Sequence, residues 1–380
     1  PRTLRFWVFD LTSDRALTAY ERLGEEFHRE WPEVTVEIKA ITQLERIQEA
    51  LSGQADVVVF PAGVPLDAEA LSPLAFFLDQ EPPDLLTDYD PAVLSLVRYE
   101  GEIVALPMEL EAGFIYYNAE LFDQAGLPYP QPGWTWDDFL AMAQMLTRPH
   151  PEGGMQYGFY APAYQWVVFL VEELGEQTLA TQTLRLDSEP VATAIRRFTD
   201  LARVYGVSPL PGEYSQASSR YGDLVTVGWV AMWPGNMAER GGRLGRVEWP
   251  FQWGLVPVPR ATTGRSYILP TVGAIPKMTK DADDAWRWLR FLSERTEQLQ
   301  SLPARLSLRE QSHLWQALDR QQTTLLTDLV AQGVSIPVTG WDVRAFVAVH
   351  SAVEQILRTQ MPVEEALRQA QAAYEKTLAK

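Results

Sequence analysis

Within Asp14–Glu30, apolar residues fall at Leu17, Tyr20, Leu23 and Phe27, one face of a helix. The next stretch alternates at Val34, Val36, Ile38 and Ala40, the period of a strand. Trp31 precedes Pro32 and is pushed out of the α region, which ends that helix. Residues 4–9 predict a first strand. Residues 56–60 predict a third, continuously apolar as when both faces are covered. Between the second and third strands, Thr42 stands where an N-cap is needed for a helix over 43–52, and Gly53 where it should stop. The pattern is βαβαβ. Right-handed crossovers make it a parallel sheet with loops 10–13, 41–43 and 61–65 at the carboxyl ends, the edge where open α/β sheets usually bind ligands.

Further on, residues 99–106 read as a hairpin turning at Glu100 and Gly101. Residues 106–111 read as a crossover between lobes, and 114–117 as a strand capped into a short helix by Asn118 and closed by Gly126. Thr135 and Asp138 have capping-box spacing for a helix over 136–146. Helices dominate 157–253, near 164–174 and 189–205, with a strand-like run at 225–232. Strands at 254–258 and 267–275 precede amphipathic helices at 282–294, 342–358 and 363–380. No internal repeat, low-complexity tract or long linker interrupts the chain, so two lobes would be joined by several crossings. The expected division is 1–110 plus 271–312 for one lobe and 111–270 plus 313–380 for the other.

The 380 residues exceed a typical single domain, and a 46% hydrophobic, 22% charged composition supplies two cores. A net charge of −18 repels phosphate backbones and anionic headgroups, which argues against a nucleic-acid or membrane-surface partner. There is no cysteine, hence no disulfide, thiolate nucleophile or Cys-ligated metal. His28, His150, His313 and His350 share no metal-ligand spacing, and no phosphate loop, dinucleotide fingerprint, nucleophile elbow or calcium loop occurs. No cofactor is expected. The apolar runs are too short to span a bilayer, and no leader precedes Pro1, so any export signal is expected to have been removed.

The run at 115–127, Ile-Tyr-Tyr-Asn-Ala-Glu-Leu-Phe-Asp-Gln-Ala-Gly-Leu, is followed by a Pro-rich bend and Trp134-Thr-Trp-Asp-Asp-Phe139. It resembles the extracytoplasmic carbohydrate-binding proteins of the maltose-binding type. Gly53 to Val58, Gly101 with Leu106-Pro107, Gly228 to Met232, residues 254–259, Gly273 to Lys277, Ala285 to Leu292, Leu302-Pro303 and Glu364 to Leu367 match other stretches of that family in order. One departure is Ala231-Met232-Trp233-Pro234-Gly235-Asn236-Met237, a residue shorter than the family pattern and lacking its final Trp, which moves the aromatic platform to Trp233. The resemblance implies an α/β, two-lobed periplasmic-binding-protein fold, type II-like, with mixed, mostly parallel sheets and a cleft between lobes. It implies the substrate-binding component of an ABC importer, monomeric, extracytoplasmic (periplasmic or a tethered lipoprotein), delivering sugar to permease subunits.

A sugar offers apolar C–H faces to flat rings and hydroxyls to carboxylates, Arg and Asn. Glu111, seven residues before Asn118, is the strongest polar candidate; its rival role is a hinge ion pair. Glu109 is a weaker one. Trp7 and Asp10 end the first strand, and Gln43 lies on the same edge; Trp7 could equally be core and Asp10 a cap. Tyr164 and Trp166 open a helix where a stacking ring or a buried one would both fit. Trp233, Gly235 and Asn236 form a loop after a strand, Tyr267 precedes the return crossover, and Trp341 starts a helix. Arg305 is a candidate with a structural alternative, and Asn118 is better explained as a cap. A rival class is a glycoside hydrolase using Glu109 and Glu111. Another keeps the fold but binds a phosphodiester, polyamine or peptide. The expected hinge comprises 109–113 and 269–273.

Overall fold

A computed structural model describes residues 1–9, 14–43, 45–64, 66–179, 185–237, 249–336 and 342–378. Strands β1 (Arg2–Phe9), β2 (Val34–Ile41) and β3 (Val57–Pro61) pair in parallel, with Phe6 opposite both Ile38 and Val57. Helix Asp14–Glu30 buries Tyr20, Leu23 and Phe27 against this sheet, and the Phe27 ring meets Trp288 of helix Ala282–Leu292 edge-on. The second crossing is helix Glu45–Glu49, which widens into a π-helical stretch, Ala50–Gln54. Gly53 sits there at φ 103, a left-handed conformation that glycine adopts without a Cβ penalty, and the helix ends. The hairpin β4 (Arg98–Tyr99) and β5 (Glu102–Ile103) turns at Glu100 and Gly101, both with positive φ as a two-residue hairpin needs.

Next come β6 (Leu106–Ala112), β7 (Phe114–Asn118), a short hairpin β8 (Arg148–Pro149) and β9 (Met155–Gln156), β10 (Met232–Gly235) and β11 (Trp253–Val256). The last strands are β12 (Tyr267–Ala274), β13 (Leu302–Pro303) and β14 (Val334–Ser335). The first sheet has the order β13-β6-β12-β3-β1-β2, with β14 beside β12, and the second has the order β10-β7-β11. Because β12 is antiparallel to both β3 and β6, β6 runs with β1, β2 and β3. The carboxyl ends of four strands therefore share one edge.

The second lobe is mostly helical. Ile115 of β7 faces a core built with Phe139, Phe159, Trp166, Phe198, Val353 and Leu367, whereas Phe114 and Tyr116 on the opposite face join the other core. Asn118 caps helix Ala119–Ala125, Gly126 closes it at φ 65, and the Thr135–Asp138 capping box starts Trp136–Leu146. Helices Trp166–Leu174, Glu189–Arg203, Val343–Thr359 and Val363–Leu378 complete that core.

Two stretches differ from the pattern read along the chain. Residues 225–232 are not a strand: Asp223 accepts from the Thr226 amide and Gly228 turns the backbone at φ 81. The strand begins at Met232 instead, and Pro234 is tolerated because β10 is an edge. Helix Arg320–Gln332 adds its buried Leu325, Leu326, Leu329 and Val330 to the first core and touches both β6 and β11. It touches a strand of each sheet, and no helix is read there from the pattern along the chain.

Candidate functional site

The chain crosses between sheets at Gly113 and returns along β12, and the two crossings lie side by side. Glu111 is opposite Leu269, Glu109 opposite Thr271, and the Gly113 amide donates to the Tyr267 carbonyl at 3.1 Å. A bulge between Thr271 and Val272 breaks the ladder next to this crossing. A third passage, β14, lies on the other edge of β12, with the Ile336 amide donating to Ile268. A Cβ added at Gly113 would lie 2.6 Å from Ser266 Oγ and 2.6 Å from the Tyr267 ring. Gly113→Ala should therefore lower stability by about 1–3 kcal/mol, the cost of overpacking. An unchanged thermal midpoint would show that the crossover has slack.

Strand alternation puts Glu109 and Glu111 on the same side of β6, yet their carboxylates go to different partners. Glu109 Oε2 accepts the Gln300 and Ser301 amides at 2.7 and 2.8 Å, tying a turn of the first lobe to the strand. Glu111, only 4% exposed, lies two residues from the crossover and accepts from Asn236 Nδ2 at 3.3 Å. Asn236 follows β10 of the second sheet, and its carbonyl accepts from the Tyr116 hydroxyl at 3.0 Å. A polar contact thus joins the two sheets where four strand ends meet.

Beside it stands a wall of rings. Trp233 stacks on Tyr116 at 5.7 Å, and Trp249 and Trp253 meet Tyr116 edge-on at 4.8 and 5.5 Å. Trp233 and Tyr116 are buried, and Trp249 and Trp253 are partly exposed. Trp249 and Trp253 were not singled out in the sequence, although with Phe251 they alternate at the period of a strand, which was the available signal.

The remaining candidates separate. Gln43 is exposed at the end of β2, on the shared edge, and Tyr164 is 49% exposed before helix Trp166–Leu174. Gly235 pairs with Phe114 inside β10 rather than in a loop. Trp166 is corrected: its ring is 1% exposed and packs on Phe346 in the helical core. Trp7 is also buried, its ring covered by Lys39 Nζ at 3.8 Å and by Arg46. Tyr267 is buried against Gly113. Asp10 and Trp341 lie outside the described residues. Among the described residues no group of three or more His, Asp or Glu side chains is placed to hold a metal ion.

Arg305 belongs to a first-lobe ion pair, with Nε 2.7 Å from Asp88 Oδ2. Burial by itself pushes the Asp88 carboxyl up, but hydrogen bonds from Ser307 and Arg305 overcome it and hold it below the usual carboxylate range. A depressed carboxylate stabilises above its unfolded pKa, and that contribution disappears as pH falls through the folded value. Arg305→Met should cost about 1.5–3 kcal/mol at neutral pH. Denaturant midpoints of variant and parent should then converge in acid; a pH-independent gap would refute the linkage.

Glu172 was not singled out in the sequence, where it reads as one more helix carboxylate. It is buried at the end of helix Trp166–Leu174, and its Oε1 accepts four consecutive amides, Ala261, Thr262, Thr263 and Gly264, at 2.7–3.0 Å. That loop leads into β12, so one carboxylate links a helix opening near Tyr164 to the return crossover.

Two cores joined by adjacent crossing strands, with the Glu111–Asn236 contact and a wall of rings beside the crossing, define a two-lobed periplasmic-binding-protein fold. Solved structures agree. The ABC substrate-binding protein Lmo0181 from Listeria monocytogenes, in complex with cycloalternan, is similar with a TM-score of 0.80 at 19% identity, covering 99% of each chain. The GacH receptor of Streptomyces glaucescens, solved unliganded and with acarbose, gives 0.74 at 22% identity over 100% of this chain and 98% of that one. The maltose/maltodextrin-binding domain MalE from Bdellovibrio bacteriovorus, bound to maltotriose, gives 0.72 at 17% identity over 100% of both. A family model for bacterial extracellular solute-binding proteins matches residues 12–299, and the chain belongs to that family. Its place of action is outside the cytoplasm.

Proposed function

We propose that this chain is the substrate-binding component of an ABC importer, capturing a carbohydrate between its lobes and handing it unchanged to membrane permease subunits. The observation that carries this reading is the Glu111–Asn236 contact between the two sheets, beside the Trp233–Tyr116 stack. A ligand that touches both lobes favours closure, because only differential contact shifts such an equilibrium. Carboxylate and amide groups suit hydroxyls, and the ring wall suits sugar faces. The proposed ligand set is Glu111, Asn236, Trp233, Gln43 and Tyr164, together with Asp10 and Trp341. The sugars held by the similar structures support the ligand class.

The protein acts without turnover. With Glu109 committed to two backbone amides, an acid and nucleophile pair on β6 loses one member. The net charge of −18 supports a monomer that avoids nucleic acid. A thermal-shift screen of mono- and oligosaccharides, repeated by tryptophan fluorescence and followed by a reducing-sugar assay, tests the reading. Saturable stabilisation without released sugar is expected; no response to any carbohydrate, or released product, overturns it.

A further inference from the structure

The rings beside the Glu111–Asn236 contact do not all have a face to offer. Trp233 is 4% exposed and Tyr116 is fully buried, and the two are stacked on each other. Trp249 and Trp253 are partly exposed. A sugar's C–H face needs an uncovered ring, so Trp233, the ring to which the sequence points, has almost no surface left for one.

Position separates the two open rings. β7 leaves the crossover at Phe114, and Trp253 pairs with Asn118 at the other end of that strand. At the usual rise per residue this is about 13 Å away. Trp249 lies nearer. Its ring meets Tyr116 at 4.8 Å and Trp233 at 5.1 Å, and those two residues are register partners midway along β7. The Tyr116 hydroxyl donates to the Asn236 carbonyl, and Asn236 Nδ2 donates to Glu111. Trp249 therefore stands one ring away from the polar contact between the sheets. Its plane lies at 71° to Tyr116, 79° to Trp233 and 78° to Trp253, so three rings fix its orientation. Among the described residues its indole N–H has no hydrogen-bond partner, and it is not shut away from solvent as that of Trp233 is. An open N–H at the edge of an open ring can donate to a hydroxyl of the sugar that the ring face holds.

We propose that Trp249 is the ring on which the apolar face of a pyranose rests, while Glu111 and Asn236 take hydroxyls at the rim of the same sugar. Trp233 borders this place, and with Tyr116 it holds the Trp249 plane. A flat ring here selects cyclic sugars, whose C–H groups gather on one face, over acyclic polyols, which present no such face. The assignment rests on the carbohydrate reading and adds to it the residue that sets this preference.

The probes are glucose, galactose, mannose, maltose and maltotriose, and the one giving the largest thermal shift is titrated calorimetrically into each variant. Trp249→Ala should weaken its binding about ten-fold or more, the scale of one lost stacking ring. Trp249→Tyr keeps a flat face and should retain most of the affinity. Trp249→Leu keeps apolar bulk without a flat face and should lose as much as alanine. Thermal midpoints measured beside each titration report folding, and the tyrosine and leucine variants preserve the packing if alanine does not. Leucine binding as well as tyrosine, or alanine binding as well as the parent, overturns the stacking role. So does a larger loss in Trp253→Ala than in Trp249→Ala. A parent that binds none of the five sugars overturns the carbohydrate reading, and this assignment with it. With 13 Trp in the chain, intrinsic fluorescence cannot single out one ring. In protein labelled with 5-fluorotryptophan, the fluorine resonance absent from Trp249→Tyr belongs to Trp249. Its shift between light and heavy water should be present in the free protein and fall when sugar binds. A resonance insensitive to the solvent in the free protein overturns the open face.

Discussion

Replacing Glu172 by alanine should destabilise the protein by about 3–5 kcal/mol, the range for stranding the partners of a buried charge. One oxygen of this carboxylate accepts the amides of residues 261–264, its second oxygen lies 3.5 Å from Arg197, and its own carbonyl accepts the Thr263 hydroxyl. Alanine leaves the backbone carbonyl but removes every carboxylate contact. Four amides of a partly buried loop then lose their shared acceptor, and each donor left unsatisfied carries a desolvation cost. Glu172→Gln keeps an oxygen of the same reach and should cost markedly less. Denaturant unfolding measures the difference, and hydrogen exchange localises it: the amides at 261–264 should lose protection before those of β12. A loss below 1 kcal/mol, or exchange unchanged in that loop, would mean that water or Arg197 replaces the carboxylate.

The contrast between what the chain announces and what it conceals follows contact range. Helix Asp14–Glu30 was legible to the residue because its apolar spacing and the Trp31–Pro32 stop are both local. The turn at Glu100–Gly101, the Asn118 cap and the Thr135 capping box were legible for the same reason: each is satisfied within four residues. Helix Pro211–Tyr221 gave a weaker signal, since it buries no residue fully and packs on the core only through Tyr214, Ala217 and Tyr221. The run at 225–232 misled because Val225, Val227 and Val230 have strand propensity, while Asp223 and Gly228 impose a turn.

Side-chain roles at the site were less legible still. Glu109 and Glu111 are indistinguishable on the chain; what separates them is that amides 191 and 192 residues later reach one, and an amide side chain 125 residues later reaches the other. Trp166 and Tyr164 open the same helix, and only the packing of Phe346 decides that Trp166 is core. Glu172 was invisible because its four donors are backbone groups, which no residue type announces.

That separation of the two carboxylates on β6 gives the second large effect. Glu111→Ala should weaken carbohydrate binding about ten- to hundred-fold, the equivalent of one charged hydrogen bond worth about 1.5–3 kcal/mol. Glu111→Gln should lie between alanine and the parent, because it still accepts one hydrogen bond but without charge. Glu109→Ala is the internal control. It strands the Gln300 and Ser301 amides, so it should lower the unfolding midpoint and leave sugar affinity nearly unchanged in the folded fraction. Calorimetric titration with the best carbohydrate from the thermal screen, beside denaturation of each variant, distinguishes the roles. Were Glu111→Ala to bind as tightly as the parent, the Glu111–Asn236 contact would be a fastening between sheets, and the ligand would have to be held by the rings and loops alone.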